Sequence, residues 1–390
     1  MLMKLMAGAF RLVASAMQAL PLKRRIVLMS RQSSKPSLDF KMLAQKLQSS
    51  YPDVEVSMCL TQPELASKVA FAAGTLKQLK VASTAKVVVA DGYIPAVCIP
   101  TKRSGASVMQ MWHALGAVKK FGYQSVDTPA GRSAADAQAA CMHKNYDCIV
   151  AGSIGSVPFF AQAFGYPASA VKTLGLPRID YLVDSSEQSS RRVQMAAIAA
   201  SNPVFANGKT TVLYAPTLRK GANYEGWLDR AVHDLASHCD ASRVNFIVAG
   251  HPLNNHVEQS ALNGLEHVSF IQGASTIDLL GLADCVITDY SAVAFEAGII
   301  SKPVFFYVPD IDVYRSSPGL NIDPLAEYPN VSSKDAAELM SLVAQHTGDS
   351  GAIEQDSAFA AMIDRDFAPL LDGKCTARIA AELAAMLDRS

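Results

Sequence analysis

Two histidines, one strand-end Asp-Tyr-Ser and a few arginines supply the reactive groups of this chain. His113 stands in Met111-Trp112-His113, with Lys119 and Lys120 downstream. An imidazole titrates near neutral pH and can take the proton of an alcohol as that alcohol attacks. Trp112 would add an apolar wall and the two lysines a cationic rim. His251 follows the apolar run 246–249 and precedes Pro252, at the expected C-terminal end of a strand, where open α/β sheets place ligands. Further on, the apolar run 285–288 ends in Asp289-Tyr290-Ser291, and a helix is expected to open straight after it. Free amides at a helix start, with the Ser291 hydroxyl beside them, favour a phosphate. Asp289 would repel that phosphate if it pointed inward, so it is expected to cap the helix, orient His251 or bind a hydroxyl. Arg219 and Arg315 are guanidinium candidates, able to fork onto phosphate oxygens. Asp310, Asp312 and Asp323 share the loop of Arg315, and ion pairing with it is their alternative role. Each histidine has a plainer alternative as well, a loop side chain that only hydrogen-bonds.

These residues need a scaffold that carries strand ends. The chain has 390 residues, half of them hydrophobic and 7% aromatic, which is a globular composition with room for two domains. Lys+Arg and Asp+Glu number 35 each, so the formal net charge is zero and a nucleic-acid partner is disfavoured. The seven cysteines, at 59, 98, 141, 148, 239, 285 and 375, form no CxxC pair and sit mostly in apolar runs. That pattern reads as buried, reduced thiols in a cytosolic protein, without the spacing of a zinc site.

Short apolar runs alternating with helical stretches indicate a parallel α/β architecture. Expected strands lie at 25–30, 54–58, 80–84, 86–90 and 148–151, then at 210–214, 245–248, 268–270, 285–288 and 304–307. Expected helices include 40–50, 62–76, 224–237 and 275–283. Two Rossmann-like halves follow, 23–190 and 205–374, with a final helix at 375–390. The break is expected near 184–209, where a polar run, Asn202-Pro203 and Asn207-Gly208 supply turn signals. A G-x-G-x-x-G fingerprint is absent, and Gly152 to Gly155 is only a fragment of one, which disfavours a dinucleotide enzyme.

Residues 1–22 form a segment of their own. Lys4, Gly8, Arg11, Ser15 and Gln18 fall on one helical stripe, and the rest, including Leu2, Leu5 and Phe10, is apolar. Pro21 ends the helix and Lys23, Arg24 and Arg25 follow. A broad apolar face beside a basic cluster suits a helix lying in the headgroup region of an anionic membrane. The competing readings are a helix packed on its own protein, a signal peptide and a membrane span, and Arg11 interrupts the apolar run that the last two require.

Five stretches carry a family likeness: Met111-Trp112-His113 through Lys120, 164–180 with its Gly175-Leu176-Pro177-Arg178-Ile179-Asp180, 213–219, Gly250-His251-Pro252 and 278–323. Together they resemble the CDP-glycerol glycerophosphotransferases, the polyol-phosphate transferases of teichoic-acid and capsule synthesis. The likeness covers nearly the whole chain after Lys23. It departs from the family pattern at Ala114, where glycine is usual, and at Ala292, where a second serine is common. The resemblance implies a GT-B fold, with the active site in the cleft between two Rossmann-like domains, 23–190 on the acceptor side and 205–374 holding a CDP-polyol. It implies transfer of glycerol phosphate or ribitol phosphate to a hydroxyl of a polyprenyl-diphosphate-linked saccharide or growing polymer, with release of CMP. A primase is slightly favoured over a polymerase by size. His113 is then the general base, with Trp112, Lys119 and Lys120 around the acceptor. His251, Arg219, Ser291 and Arg315 meet the donor phosphates, Asp289 orients or binds a hydroxyl, and Glu296 accepts from ribose hydroxyls. No metal or other cofactor is obligatory and Mg²⁺ is optional. The implied location is the cytoplasmic face of a bacterial membrane, peripherally bound, and nothing in the sequence opposes an oligomer. A GT-B glycosyltransferase or epimerase using a UDP-sugar is the alternative enzyme, and a membrane-attached scaffold without turnover the non-enzymatic reading.

Overall fold

The computed structural model describes residues 2–62, 68–219, 224–249, 264–271, 273–347 and 352–389. The chain divides into two units, one of residues 1–180, 317–319 and 369–390 and the other of residues 181–316 and 320–368.

The first unit is built on β1 (Lys23–Ser30), β2 (Glu55–Leu60), β3 (Ala85–Ala90), β4 (Ser107–Gln110), β5 (Cys148–Ala151) and β6 (Val171–Thr173). They form one sheet in the order β2-β1-β3-β4-β5-β6, parallel throughout. A parallel sheet is covered on both faces, so its strands are apolar runs rather than alternating ones. The last five residues of β1 and all of β5 are accordingly buried. The second unit has β7 (Thr210–Tyr214), β8 (Val244–Val248), β9 (Val268–Phe270), β10 (Cys285–Thr288), β11 (Val304–Tyr307) and β12 (Ser332–Ser333). Their order is β12-β11-β10-β7-β8-β9, again parallel. In each sheet the chain first winds to one side and then to the other. The reversal falls between β1 and β3 in the first unit and between β7 and β10 in the second. Crevices at the C-terminal ends of such strand pairs are where doubly wound sheets bind ligands.

Several expectations change. Residues 80–84 are not a strand: they end the helix Lys68–Thr84. Thr84 Oγ1 donates to the Lys80 carbonyl at 2.9 Å, a back-bond that lets a β-branched residue close a helix. The polar run from 185 is not a linker but the start of the helix Ser185–Ser201, capped by Asp184, whose carboxylate accepts from the Ser186 and Glu187 amides. Arg191 on this helix donates to the Ile277 carbonyl, so the helix is part of the second unit. The division therefore falls between Asp180 and Tyr181 rather than after 190. The final helix, Cys375–Asp388, belongs to the first unit. Asp180 holds it there: its carboxylate accepts from the Cys375 amide at 2.9 Å and the Thr376 amide at 2.7 Å. Gly175, at φ +74°, lets the chain pass close by, since a Cβ there would lie 2.4 Å from Cys375 Sγ.

The helix Leu2–Gln18 packs on the first unit through Ala7, Phe10, Ala14 and Met17, an apolar stripe beside the one that holds its polar residues. Ala7 and Ala14 are buried, Arg11 Nε donates to the Ile99 carbonyl at 3.1 Å and Gln18 to the Thr101 carbonyl at 2.8 Å. Phe10, expected to face lipid, instead packs against the protein core beside Met17. Arg24 pairs with Asp388 at 3.1 Å, so an acidic neighbour already compensates its charge, while Lys23 is exposed. The side chains of Leu2 and Leu5 lie outside those described. Among the described residues no helix is long and apolar enough to cross a membrane.

Candidate active site

The reversal point of the first unit gathers polar groups of β1, β3 and β4. Ser30 ends β1 and Asp91 follows β3 directly. Asp91 is only 4% exposed, and among the described residues its Oδ1 has no hydrogen-bond partner. Burial raises the pKa of its carboxyl to about 7; the Ser30 hydroxyl, by hydrogen-bonding it, acts in the opposite sense, and the charge of Asp39 adds to the rise. Asp39 itself is buried and forked by Arg178, whose backbone amide and Nε reach its two oxygens at 2.9 and 3.0 Å.

His113 follows β4 and meets Asp91 through the backbone, with Nδ1 2.7 Å from the Asp91 carbonyl oxygen. A carbonyl can only accept, so Nδ1 carries the hydrogen and Nε2 keeps a lone pair. The ring is exposed at its rim yet closely surrounded by protein, and this desolvation is the leading cause lowering its pKa. The hydrogen bond to Asp91 acts the other way. Arg178 and Lys119 lower the pKa further and Asp39 raises it. A neutral, one-sided imidazole in water's reach is suited to accept a proton.

Trp112 sits at φ +60°, in the left-handed region. For a bulky residue this costs on the order of 1–3 kcal/mol and persists only where the surroundings enforce it. The indole stacks on Phe121 with centroids 4.6 Å apart, lies 4.3 Å from the His113 ring and meets Phe164 edge-on. It lies beside His113, anchored in a larger aromatic cluster. Lys120 is exposed and its backbone amide donates to the Gly319 carbonyl at 2.9 Å, while Lys119 is half-buried.

In the second unit the reversal point holds Arg219 and Asp289, and here an expectation fails. The Arg219 side chain is 2% exposed and every guanidinium nitrogen is engaged. Nε and one Nη reach the two oxygens of Asp310 at 2.8 and 2.9 Å, and the other Nη reaches Asp289 at 2.7 Å and the Thr217 carbonyl at 3.2 Å. The guanidinium also lies flat on Trp227, 3.4 Å from the ring centre. Burial alone would lower its pKa, but Asp289 and Asp310 outweigh that and raise it. A fork so occupied does not hold a phosphate; Arg219 fastens together the loops after β7, β10 and β11. Asp289, fully buried, also accepts from the Thr217 and Tyr290 amides. It therefore neither caps the helix nor faces a ligand hydroxyl. Among the described residues the Tyr214 and Thr217 hydroxyls, at the same strand end, are buried without a partner.

Ser291 is half-buried, with its hydroxyl 3.4 Å from the Val293 amide at the start of the helix Val293–Ile299. Glu296 lies buried on that helix rather than on an open surface. Arg315 is ion-paired to Asp323 at 2.7 Å and Asp312 at 3.2 Å, and Asp312 also meets Lys334. Its donors face carboxylates of its own loop, the alternative role considered for it. No group of three or more metal-binding side chains converges among the described residues. His251 lies outside the described residues, as do Gly250 and Pro252. The sequence reading missed Asp91 and Gln110. An Asp-Gly pair directly after an apolar strand was the available signal for the first; a glutamine ending an apolar run gave none for the second.

Residues 12–384 match the family described as CDP-glycerol:poly(glycerophosphate) glycerophosphotransferase. The chain is 28% identical to the teichoic acid ribitol-phosphate primase of Bacillus spizizenii, over 99% of this chain and 98% of that one. It is 26% identical to the teichoic acid glycerol-phosphate primase of Bacillus subtilis, over 68% and 66% of the two chains. The solved structure of the wall teichoic acid polymerase TagF superposes with a TM-score of 0.73 at 19% identity, covering 97% of this chain and 93% of that one, a likeness of fold. With the family matched over almost its full length, this chain belongs to the CDP-glycerol:poly(glycerophosphate) glycerophosphotransferases and is a transferase.

Proposed function

We propose that the chain moves glycerol phosphate or ribitol phosphate from a CDP-polyol to a hydroxyl of a polyprenyl-diphosphate-linked saccharide, as a primase. The His113 Nε2 lone pair takes the proton of the acceptor alcohol. The alcohol oxygen bonds to the phosphorus that carries the polyol, and the bond from that phosphorus to the bridging oxygen breaks, so that CMP leaves with the electron pair. Such a reaction rests mostly on alignment and on relief of charge at the diphosphate. The observation that carries the reading is the 2.7 Å contact from His113 Nδ1 to the Asp91 carbonyl, at the ligand-binding end of a doubly wound sheet. In this scheme the second unit takes the CDP-polyol at its own reversal point, where the Tyr214 and Thr217 hydroxyls lack protein partners among the described residues. His251 remains assigned to the donor phosphates by its family motif, with Ser291 beside a helix start. Support for a primase is the match to the ribitol-phosphate primase along the whole of both chains.

Incubation with radiolabelled CDP-glycerol, CDP-ribitol and UDP-N-acetylglucosamine, with a synthetic lipid-diphosphate disaccharide as acceptor, tests the proposal. CMP release and addition of one or a few units are expected. Release of UDP would establish the sugar-nucleotide alternative instead, and long polymers would remove the primase reading.

The acceptor's location in a bilayer fits the outward face of the helix Leu2–Gln18 and the residues after it. Leu12 is 75% exposed, Val13 40% and Leu20 42%, and the Lys23 cation follows. We place this face in the headgroup region of the cytoplasmic leaflet. Replacing Leu12, Val13 and Leu20 together by glutamate removes the apolar face without touching the seam on the first unit. Binding to vesicles of anionic phospholipid should be lost, and undiminished binding would overturn the assignment.

A further inference from the structure

Gln110 is the last residue of β4 and its side chain is completely buried. Both ends of its amide are used. Nε2 donates to the Gly92 carbonyl at 2.9 Å, and Oε1 accepts from the Trp112 amide at 2.9 Å. These partners fix the orientation of the amide, because a backbone N–H can only donate and a carbonyl can only accept. The two loops so joined are the ones that meet at His113. Gly92 is the neighbour of Asp91, whose carbonyl holds His113 Nδ1, and Trp112 is the neighbour of His113 itself. Trp112 has the left-handed backbone that turns His113 toward Asp91, and the Gln110 carbonyl oxygen grips the amide of that same residue. The backbone ladder supports the junction, with the Met111 amide 2.8 Å from the Ala90 carbonyl.

We infer that Gln110 is a positioning residue for the transfer: it staples the loop after β3 to the loop after β4, and so keeps the His113 hydrogen on Nδ1 and the basic lone pair on Nε2. Its part in the reaction rests on His113 being the base; its part in the geometry does not. At neutral pH the near-isosteric side chains fall short. Methionine matches the volume without either polar end. Ionised glutamate keeps the acceptor for Trp112 but offers no donor to Gly92. Asparagine is one methylene too short to span both loops.

The test uses the full chain labelled with ¹⁵N-histidine, the ring resonances of His113 being assigned by their loss in His113→Ala. In the wild type at pH 8 the pattern should be that of an Nδ1–H imidazole. In Gln110→Met the two tautomers should become comparably populated. kcat, measured with CDP-glycerol and a synthetic lipid-diphosphate disaccharide, should fall roughly 10- to 100-fold, with the KM for CDP-glycerol unchanged within about twofold. Gln110→Glu should lie between, and nearer the wild type below pH 6, where a protonated glutamic acid regains a donor. A wild-type His113 carrying its hydrogen on Nε2 would overturn the inference whether or not any variant folds. So would a folded Gln110→Met protein with an unshifted tautomer. If instead His113→Ala turns over at the wild-type rate, the general-base reading fails, while the tautomer spectra still decide what Gln110 does.

Discussion

Removing the Arg219 guanidinium should unfold the second unit far more readily than any surface substitution. Arg219→Met takes away four hydrogen bonds and the cation that, among the described residues, bridges Asp289 and Asp310, while keeping most of the volume stacked on Trp227. Breaking a buried ion pair from one side typically costs about 3–5 kcal/mol, because the partner charge stays in the interior. Two features pull the figure toward the lower end. Asp289 keeps the Thr217 and Tyr290 amides, and Asp310 keeps the Tyr290 hydroxyl at 3.1 Å. A loss of about 3 kcal/mol, with a urea slope of about 2–3 kcal/mol per molar, moves the midpoint by about 1–1.5 M. The chain offers a clean reporter. It has two tryptophans, Trp112 in the first unit and Trp227 in the second, so in a Trp112→Phe background fluorescence follows the second unit alone. Arg219→Lys keeps the charge but loses the fork and the flat stack, and should fall between. A midpoint within about 0.3 M of wild type for Arg219→Met would refute the account, since the buried carboxylates would then need no arginine. It would also return Arg219 to the list of phosphate ligands.

Four further outcomes are expected. His113→Ala should lower kcat by roughly 10²- to 10⁴-fold with donor affinity nearly unchanged; because the wild-type imidazole must be neutral to act and its pKa is held below the ordinary value, kcat/KM should stay level at pH 7 and fall only in more acid solution. Asp91 works in the opposite direction on stability. Its folded carboxyl keeps a proton up to about pH 7 while the unfolded one loses it near 3.8, so the first unit should lose stability as pH rises from about 4 to 7; Asp91→Asn should flatten that decline in urea midpoints followed by Trp112 fluorescence, and an unaltered slope would contradict it. Asp180→Ala strips the buried Cys375 and Thr376 amides of their acceptor and should cost about 2 kcal/mol, read by the same fluorescence in a Trp227→Phe background. The carboxylates of the 310–323 loop are occupied by Arg219, Arg315 and Lys334, so EDTA should leave the transfer rate within about twofold, and a collapse of the rate that Mg²⁺ restores would show otherwise.

What could be read without coordinates follows from the range of the interactions involved. Strands 148–151, 210–214, 268–270, 285–288 and 304–307 were legible to the residue because a parallel strand buried on both faces is a short apolar run with abrupt ends. The short edge strands Val171–Thr173 and Ser332–Ser333 lack such a run and went unseen. Residues 80–84 misled because Val81 and Thr84 have strand propensity, whereas the helix beginning at Lys68 simply propagates through them. The motif ending in Asp180 was visible as a motif, but not its work, since its partners lie 195 residues on at the last helix.

The same limit governs the site. His113 could be named from residue type and motif, yet its tautomer depends on a carbonyl 22 residues earlier, and that carbonyl on a glutamine with no signature at all. Arginine in a phosphate-handling protein is a reasonable phosphate ligand only until a carboxylate reaches it first. Asp289 and Asp310 come to Arg219 across 70 and 91 residues of chain, brought there by the order of strands in the sheet. Strand order thus decides which of the charged residues at the strand ends neutralise one another and which remain for a substrate. In the first unit it leaves His113 with a rim in water and a lone pair on Nε2.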